Sequence, residues 1–168
     1  MNRIAEFEKV SFEQFQKDFI NTVGEFSESS IREIYNNIKL PQRATTGSAG
    51  YDFFIPYPAY IAENWFAVIP TGIRCKIEDG WVLNIYPRSG LGFKNKLHLY
   101  NTVGIIDSDY YYSDNEGHIM VKFEVGHKTT LDNGKAFVQG VFTPYGITID
   151  DNATEIRNGG FGSTDERI

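Results

Sequence analysis

Gly104, Ile105, Ile106, Asp107, Ser108, Asp109 and Tyr110 form the segment best suited to chemistry. Two apolar residues lead into a carboxylate, a polar spacer, a second carboxylate and an aromatic ring. An acid at the end of a buried strand is held rigidly, as a general base must be. A flat ring three residues on can pack against a nucleobase or a sugar. Acids end many strands, so the meaning of this segment depends on its companions.

Three companions stand elsewhere in the chain. In Tyr86-Pro87-Arg88-Ser89-Gly90-Leu91-Gly92, proline ends a strand and Arg88 offers a planar fork. Ser89 and Gly90 add a hydroxyl and open backbone N–H groups, a set that suits a phosphate. It is not a serine-hydrolase elbow, which needs glycine two residues before the serine, where Pro87 stands. An ordinary polar turn is the plainer reading. In Ala49-Gly50-Tyr51-Asp52, glycine permits a close backbone approach. Asp52 could order Mg²⁺-bound water, brace an arginine, or make a structural hydrogen bond. Gly159-Gly160-Phe161-Gly162-Ser163-Thr164 gives a flexible backbone one ring and two hydroxyls. Stacking that ring on a base would return roughly 1–3 kcal/mol against the entropy of ordering the glycines.

No metal cluster is legible. His98, His118 and His127 lack ligand spacing, which argues against zinc and leaves them as strand or loop residues. Magnesium needs no such motif, because it binds mainly phosphate oxygens and water.

The bulk of the chain sets the frame. Its 168 residues make one domain, and 41% hydrophobic residues are enough for a core. A net charge of −6 argues against a non-specific nucleic-acid coat. Cys75 is the single cysteine, so no intrachain disulfide forms and a reducing interior suits the chain. No apolar run approaches the ~20 residues of a membrane span. The first residues lack the apolar core of a signal peptide, so the expected location is the cytoplasm.

Two textures must position the chemistry. Residues 1–38 read as a helical extension. Phe12, Phe15, Phe19 and Val23 recur at helical spacing, with Ser11 and Gln14 as a capping box and Gly24 as the stop. A second helix is predicted from Ser30, with Ile31, Ile34, Tyr35 and Ile38 on one face and Pro41 as the stop. Both stripes are read as packing against the main domain, with partner binding as the alternative. Residues 39–156 alternate short apolar runs with turns. Strands are predicted at 51–54, 65–70, 73–77, 81–86, 97–101, 103–106, 118–125 and 135–144, with a hairpin turn at Asp132-Asn133-Gly134. Such a series predicts an all-β barrel or sandwich. Residues 157–168 are Gly-rich and read as a flexible tail.

Taken in order, these motifs resemble the trimeric deoxyuridine triphosphate nucleotidohydrolase (dUTPase) family, of bacterial or phage type. Residues 49–52, 87–91 and 101–110 resemble its first three motifs, 134–142 its fourth and 159–164 its fifth. The resemblance implies a β jelly roll and a homotrimer whose active sites each draw on three chains. It implies Mg²⁺-assisted hydrolysis of dUTP to dUMP and pyrophosphate. Asp107 would activate the attacking water, and Tyr110 would pack on the deoxyribose and exclude a 2′-hydroxyl. Residues 101–106, among them Asn101, Gly104 and Ile106, would read uracil. Arg88, Ser89, Gly90 and Gln139 would contact phosphates. Phe161 would close over uracil, with Arg157, Gly162, Ser163 and Thr164 closing over the substrate and its phosphates. Asp109 receives no proton-transfer role and is read as structural.

The chain departs from the family pattern in residues 111–117, which lengthen the loop after Tyr110, and in Ala136, where arginine is frequent. Arg157 also stands one residue closer to the glycines than usual. A dCTP deaminase of the same fold is the enzymatic alternative. A nucleotide-sensing module with a regulatory protein partner is the non-enzymatic one, motivated by the extension and the long loop.

Overall fold

The computed structural model describes residues 2–157. It opens with a strand where the sequence predicts helix. β1 (Ala5–Lys9) pairs antiparallel with β6 (Ile73–Ile77), placing Phe7 opposite Cys75. Phe7 packs on Tyr51, Phe53 and Phe142. The alternation of Phe7 with Glu6 and Glu8 is the period-two pattern of a half-buried strand.

α1 (Phe12–Thr22) follows, with Ser11 as N-cap accepting from the Gln14 N–H. The other half of the capping box comes from far away. Glu116, not Gln14, accepts the Ser11 N–H at 2.7 Å, and Gln14 donates to Asp18 instead. α2 (Glu28–Asn36) starts before the predicted Ser30, because Ser27 is its N-cap and accepts from the Ser30 N–H. The packing expected of both stripes is present. Phe12, Phe15, Phe19, Ile31 and Ile38 lie in one apolar cluster with Phe53, Phe123 and Phe137 of the sheets.

The remaining strands are β2 (Gln42–Arg43), β3 (Tyr51–Phe54), β4 (Ala59–Ile61), β5 (Trp65–Pro70), β7 (Trp81–Pro87), β8 (His98–Leu99), β9 (Gly104–Ile106), β10 (Met120–Val125), β11 (Thr129–Leu131) and β12 (Ala136–Pro144). Their largest sheet has the order β2-β3-β12-β7-β9, and a second runs β5-β10-β8. Two small pairs, β1-β6 and β11-β4, complete the strands, and every pairing is antiparallel. This is the expected all-β, jelly-roll type of fold.

Asp132-Asn133-Gly134 does turn, with Gly134 at φ +75° and the Lys135 N–H on the Asp132 carbonyl. It is not a hairpin, however: β11 pairs with β4, while β12 pairs with β3 and β7. The turn carries the chain from one sheet to another. Among the described residues, no helix is long and apolar enough to cross a membrane.

Candidate active site

β7 and β9 build the mount. They pair with Leu83 opposite Ile106 and Ile85 opposite Gly104. Leu83 and Ile85 are buried, so β9 is pinned to the core. A Cβ on Gly104 would come within 3.1 Å of the Ile85 Cβ, so glycine lets the strands close here. Before β9 the chain turns tightly. Thr102 takes φ +64°, and its N–H donates to the Leu99 carbonyl. The exposed Asn101 side chain is carried over Gly104, with Nδ2 3.9 Å from that hypothetical Cβ.

Asp107 directly follows β9 and is the N-cap of a 3₁₀ turn over Ser108–Tyr112. Its carboxylate does not cap that turn, which leaves it available to other groups. A 3₁₀ turn has three residues, so positions 107 and 110 are stacked one turn apart. The Tyr110 N–H donates to the Asp107 carbonyl at 3.2 Å, closing that turn. Arg157 then bridges the acids: Nη2 donates to Asp107 Oδ2 at 2.5 Å and Nε to Asp109 Oδ1 at 2.8 Å. Its guanidinium carbon stands 5.9 Å from the Tyr110 ring centre. Asp109, expected to be structural, therefore serves as a second anchor for Arg157.

A cavity of about 790 Å³ opens beside these groups. Asn101, Gly104, Ile106, Tyr110 and Arg157 line it, and Asp107 lies between Ile106 and Arg157 at its margin. Tyr110 is buried and forms part of the wall. Its hydroxyl donates to the His118 carbonyl and accepts from Asn115 Nδ2. Burial, foremost, pushes the Tyr110 phenol above its ordinary value, so it stays protonated and able to donate.

The phosphate candidates gather separately. Gln139 lies opposite Asp52 on β3 and Tyr86 on β7, and its Nε2 donates to the Pro87 carbonyl at 3.2 Å. Arg88 Nε pairs with Asp52 Oδ1 at 3.1 Å, so bracing an arginine is what Asp52 does here. The close approach expected at Gly50 is to Gln139, whose Oε1 a Cβ would meet at 2.5 Å. Ser89 and Gly90 do not form a polar turn. They begin α3 (Ser89–Asn95), and both are exposed. Arg88 and Ser89 border a second, shallower hollow that shares no lining residue with the first. The chain thus brings Asp107, Tyr110, Arg157 and the 101–106 turn together, and leaves Arg88, Ser89, Gly90 and Gln139 apart. Phe161, Gly162, Ser163 and Thr164 lie outside the described residues.

Comparison with known proteins decides the family. The dUTPase family model matches residues 36–165. The chain belongs to the dUTPase family.

Relatives extend the match. The deoxyuridine 5′-triphosphate nucleotidohydrolase of Lactococcus lactis is 39% identical over 132 residues, covering 76% of this chain and 88% of that protein. That of Tolumonas auensis is 39% identical over 141 residues, covering 78% and 90%. The crystal structure of the Streptococcus mutans dUTPase superposes with a TM-score of 0.63 at 32% identity, covering 86% of this chain and 98% of that one. At 17% identity, a Staphylococcus bacteriophage 80alpha dUTPase solved with dUpNHpp shares the fold, with a TM-score of 0.64 over 94% and 100% of the two chains. The enzymatic class of this dUTPase is dUTP diphosphatase.

The cavity also draws on polar residues that the motifs do not include: Asp18 and Thr22 of α1, Asp114, Asn115 and Lys122. Asp18 stands three residues after Phe15, beside the apolar stripe of α1. No local signal shows that this stripe ends at a cavity.

Proposed function

We propose that this dUTPase cleaves dUTP to dUMP and pyrophosphate by water attack on the α-phosphorus, with Asp107 as general base. The observation that carries the reading is the placement of Asp107. It directly follows a pinned strand, one 3₁₀ turn before Tyr110, beside a cavity lined by Asn101 and residues 104–106. Rigid mounting holds base and water in line, which phosphoryl transfer needs more than covalent help. The 101–106 turn reads uracil, with Asn101, Gly104 and Ile106 at the base and the Tyr110 ring on the sugar.

Arg157 has two stations in this scheme. Without substrate it occupies Asp107 and Asp109. Both carboxylates are about half exposed, with side chains 45% and 53% accessible. Such solvated pairs are worth only ~0–1 kcal/mol, so leaving them costs little. A triphosphate offers Arg157 more charge, and its transfer there frees Asp107 for water. Gly162, Ser163 and Thr164 close over the phosphates with it, and Phe161 stacks on the uracil.

Arg88, Ser89, Gly90 and Gln139 reach the phosphates from a neighbouring subunit of a homotrimer. The separation of the two hollows in one chain supports that assembly. Among the described residues, no three His, Cys, Asp or Glu side chains gather as a metal cage. Mg²⁺ would arrive on the triphosphate, and Asp52, beside Arg88, would be the carboxylate to hold it through water. When bound, Mg²⁺ neutralises phosphate charge. The reaction would serve the cytoplasmic nucleotide pool.

Pyrophosphate release from dUTP, dCTP, dTTP and UTP with Mg²⁺ tests the reading. Release is expected from dUTP alone. Ammonia from dCTP, with no pyrophosphate from dUTP, would overturn it in favour of the deaminase chemistry.

A further inference from the structure

Two segments outside the usual pattern, the N-terminal extension and the 111–117 loop, meet behind Tyr110. Their junction is His118, which is fully buried. Its Nε2 accepts the Gly72 N–H at 2.7 Å. A backbone amide only donates, so Nε2 bears no proton and the neutral ring carries its proton on Nδ1. That Nδ1–H donates to Asp18 Oδ2 of α1 at 2.6 Å, and Gln14 Nε2 donates to the same oxygen at 2.7 Å. The ring is therefore held at both nitrogens.

The backbone of His118 passes this restraint on. Its carbonyl accepts the Tyr110 hydroxyl at 2.8 Å, and that hydroxyl accepts from Asn115 Nδ2 at 2.7 Å. Asn115 is in turn fixed, because its Oδ1 accepts the Gly117 N–H at 3.2 Å and lies 2.9 Å from Ser113 Oγ, a hydroxyl shared with the Tyr110 carbonyl. Two more tethers bind the loop to the extension. Glu116 accepts from the Ser11 N–H and hydroxyl at 2.7 and 2.6 Å, and Glu8 accepts from the Tyr111 hydroxyl at 2.8 Å. The lengthened loop is thus anchored from both sides of Asn115.

We propose that Asp18, through His118, and Asn115 are positioning residues that lock the Tyr110 ring and so set the selection of deoxyribose over ribose. This rests on reading Tyr110 as the sugar-facing ring. A wall rejects an added hydroxyl only if it cannot retreat, and a ring held at its far end by two hydrogen bonds cannot swing away.

The test reads binding, so it does not depend on the assignment of the base. In an Asp107→Asn background, calorimetry would measure the affinities of α,β-imido-dUTP and of its ribose counterpart with Mg²⁺. Asp18→Ala and Asn115→Ala should each reduce the deoxy-to-ribo affinity ratio about ten-fold, the low end of the roughly 10- to 200-fold that a pocket gains by discriminating one small group. Asp18→Asn should retain the ratio, since its amide oxygen still accepts the Nδ1–H. In a Tyr110→Ala background, Asp18→Ala should change the ratio no further, which separates action through the ring from direct contact. An unchanged ratio in either alanine variant, folded and of parental size, overturns the proposal. If Asp18→Ala does not fold, Asn115→Ala decides alone. Equal affinities in the parent would overturn the reading of Tyr110 and the proposal with it, whereas parental selectivity kept by the variants overturns the proposal only.

Discussion

The Arg157 guanidinium holds the Asp107 carboxylate through a 2.5 Å hydrogen bond that joins the end of β9 to the last described residue of the chain. The candidate base is thereby occupied until something draws the arginine away. In the proposed scheme, substrate binding and freeing of the base would be one event, because the triphosphate would compete for the same cation.

Asp107→Asn removes the base but keeps a hydrogen-bonding group of the same size. Its kcat for dUTP should fall about 10²- to 10⁴-fold, the usual contribution of a positioned base. The affinity for a non-hydrolysable dUTP analogue should change little. Steady-state kinetics and calorimetry on one preparation would check both. A wild-type kcat in this variant would remove Asp107 from the mechanism.

The separation of the two hollows predicts complementation. Arg88→Ala and Asp107→Asn proteins should each be nearly inactive. Denatured together and refolded, they should regain activity, because some sites combine an intact Asp107 with an intact Arg88 from a neighbour. Random mixing restores about a quarter of such two-subunit sites. No gain on co-refolding would mean that each subunit completes its own site.

Acid stability should depend on Glu8 and Asp18. Hydrogen bonding from Tyr111 and pairing with Arg74 hold Glu8 below its ordinary value, against burial. For Asp18, burial is the largest influence and acts upward, but the hydrogen bonds from His118 and Gln14 outweigh it and the carboxyl lies low. A carboxyl lowered by folding contributes stability above its unfolded pKa, about 4, and loses it as pH falls through the lower folded value. Urea midpoints, taken at fixed protein concentration, should therefore drop between about pH 5 and pH 3. The drop should be smaller in Glu8→Gln with Asp18→Asn. An equal drop in that double variant would assign the acid sensitivity to other groups.

The extension should be integral to folding. Phe15 is fully buried against Phe19, Tyr35 and His118, so Phe15→Ala should cost about 3–5 kcal/mol. Cys75 gives a convenient readout. Burial foremost, with Glu8 nearby, pushes its thiol up, so the native protein should resist alkylation. Iodoacetamide labelling should be slow in wild type and faster in Phe15→Ala. Unchanged labelling and an unchanged melting temperature would show that α1 is dispensable to the core.

What could be read in advance follows the range of each interaction. The runs at 65–70 and 73–77 are strands to the residue, because their β-branched and aromatic side chains state a local preference that the core satisfies. β1 is not legible because five residues, three of them charged, say little without β6 beside them. α3 was missed because Gly90 and Gly92 read as a turn, yet the chain coils there.

The candidate base and ring were legible for the same local reason. Asp107 and Tyr110 are three residues apart, and one 3₁₀ turn brings them together. The amino-acid sequence by itself determined the order of motifs, the β class and this acid–ring pair, all set by neighbours along the chain. Only the tertiary structure decided that Arg157 sits on Asp107, that Arg88 stands apart from it, and that Asp18 meets His118 across 100 positions. Those contacts join side chains that share no local pattern. They exist because packing the sheets and the two N-terminal helices around one core brings distant charges within hydrogen-bonding distance.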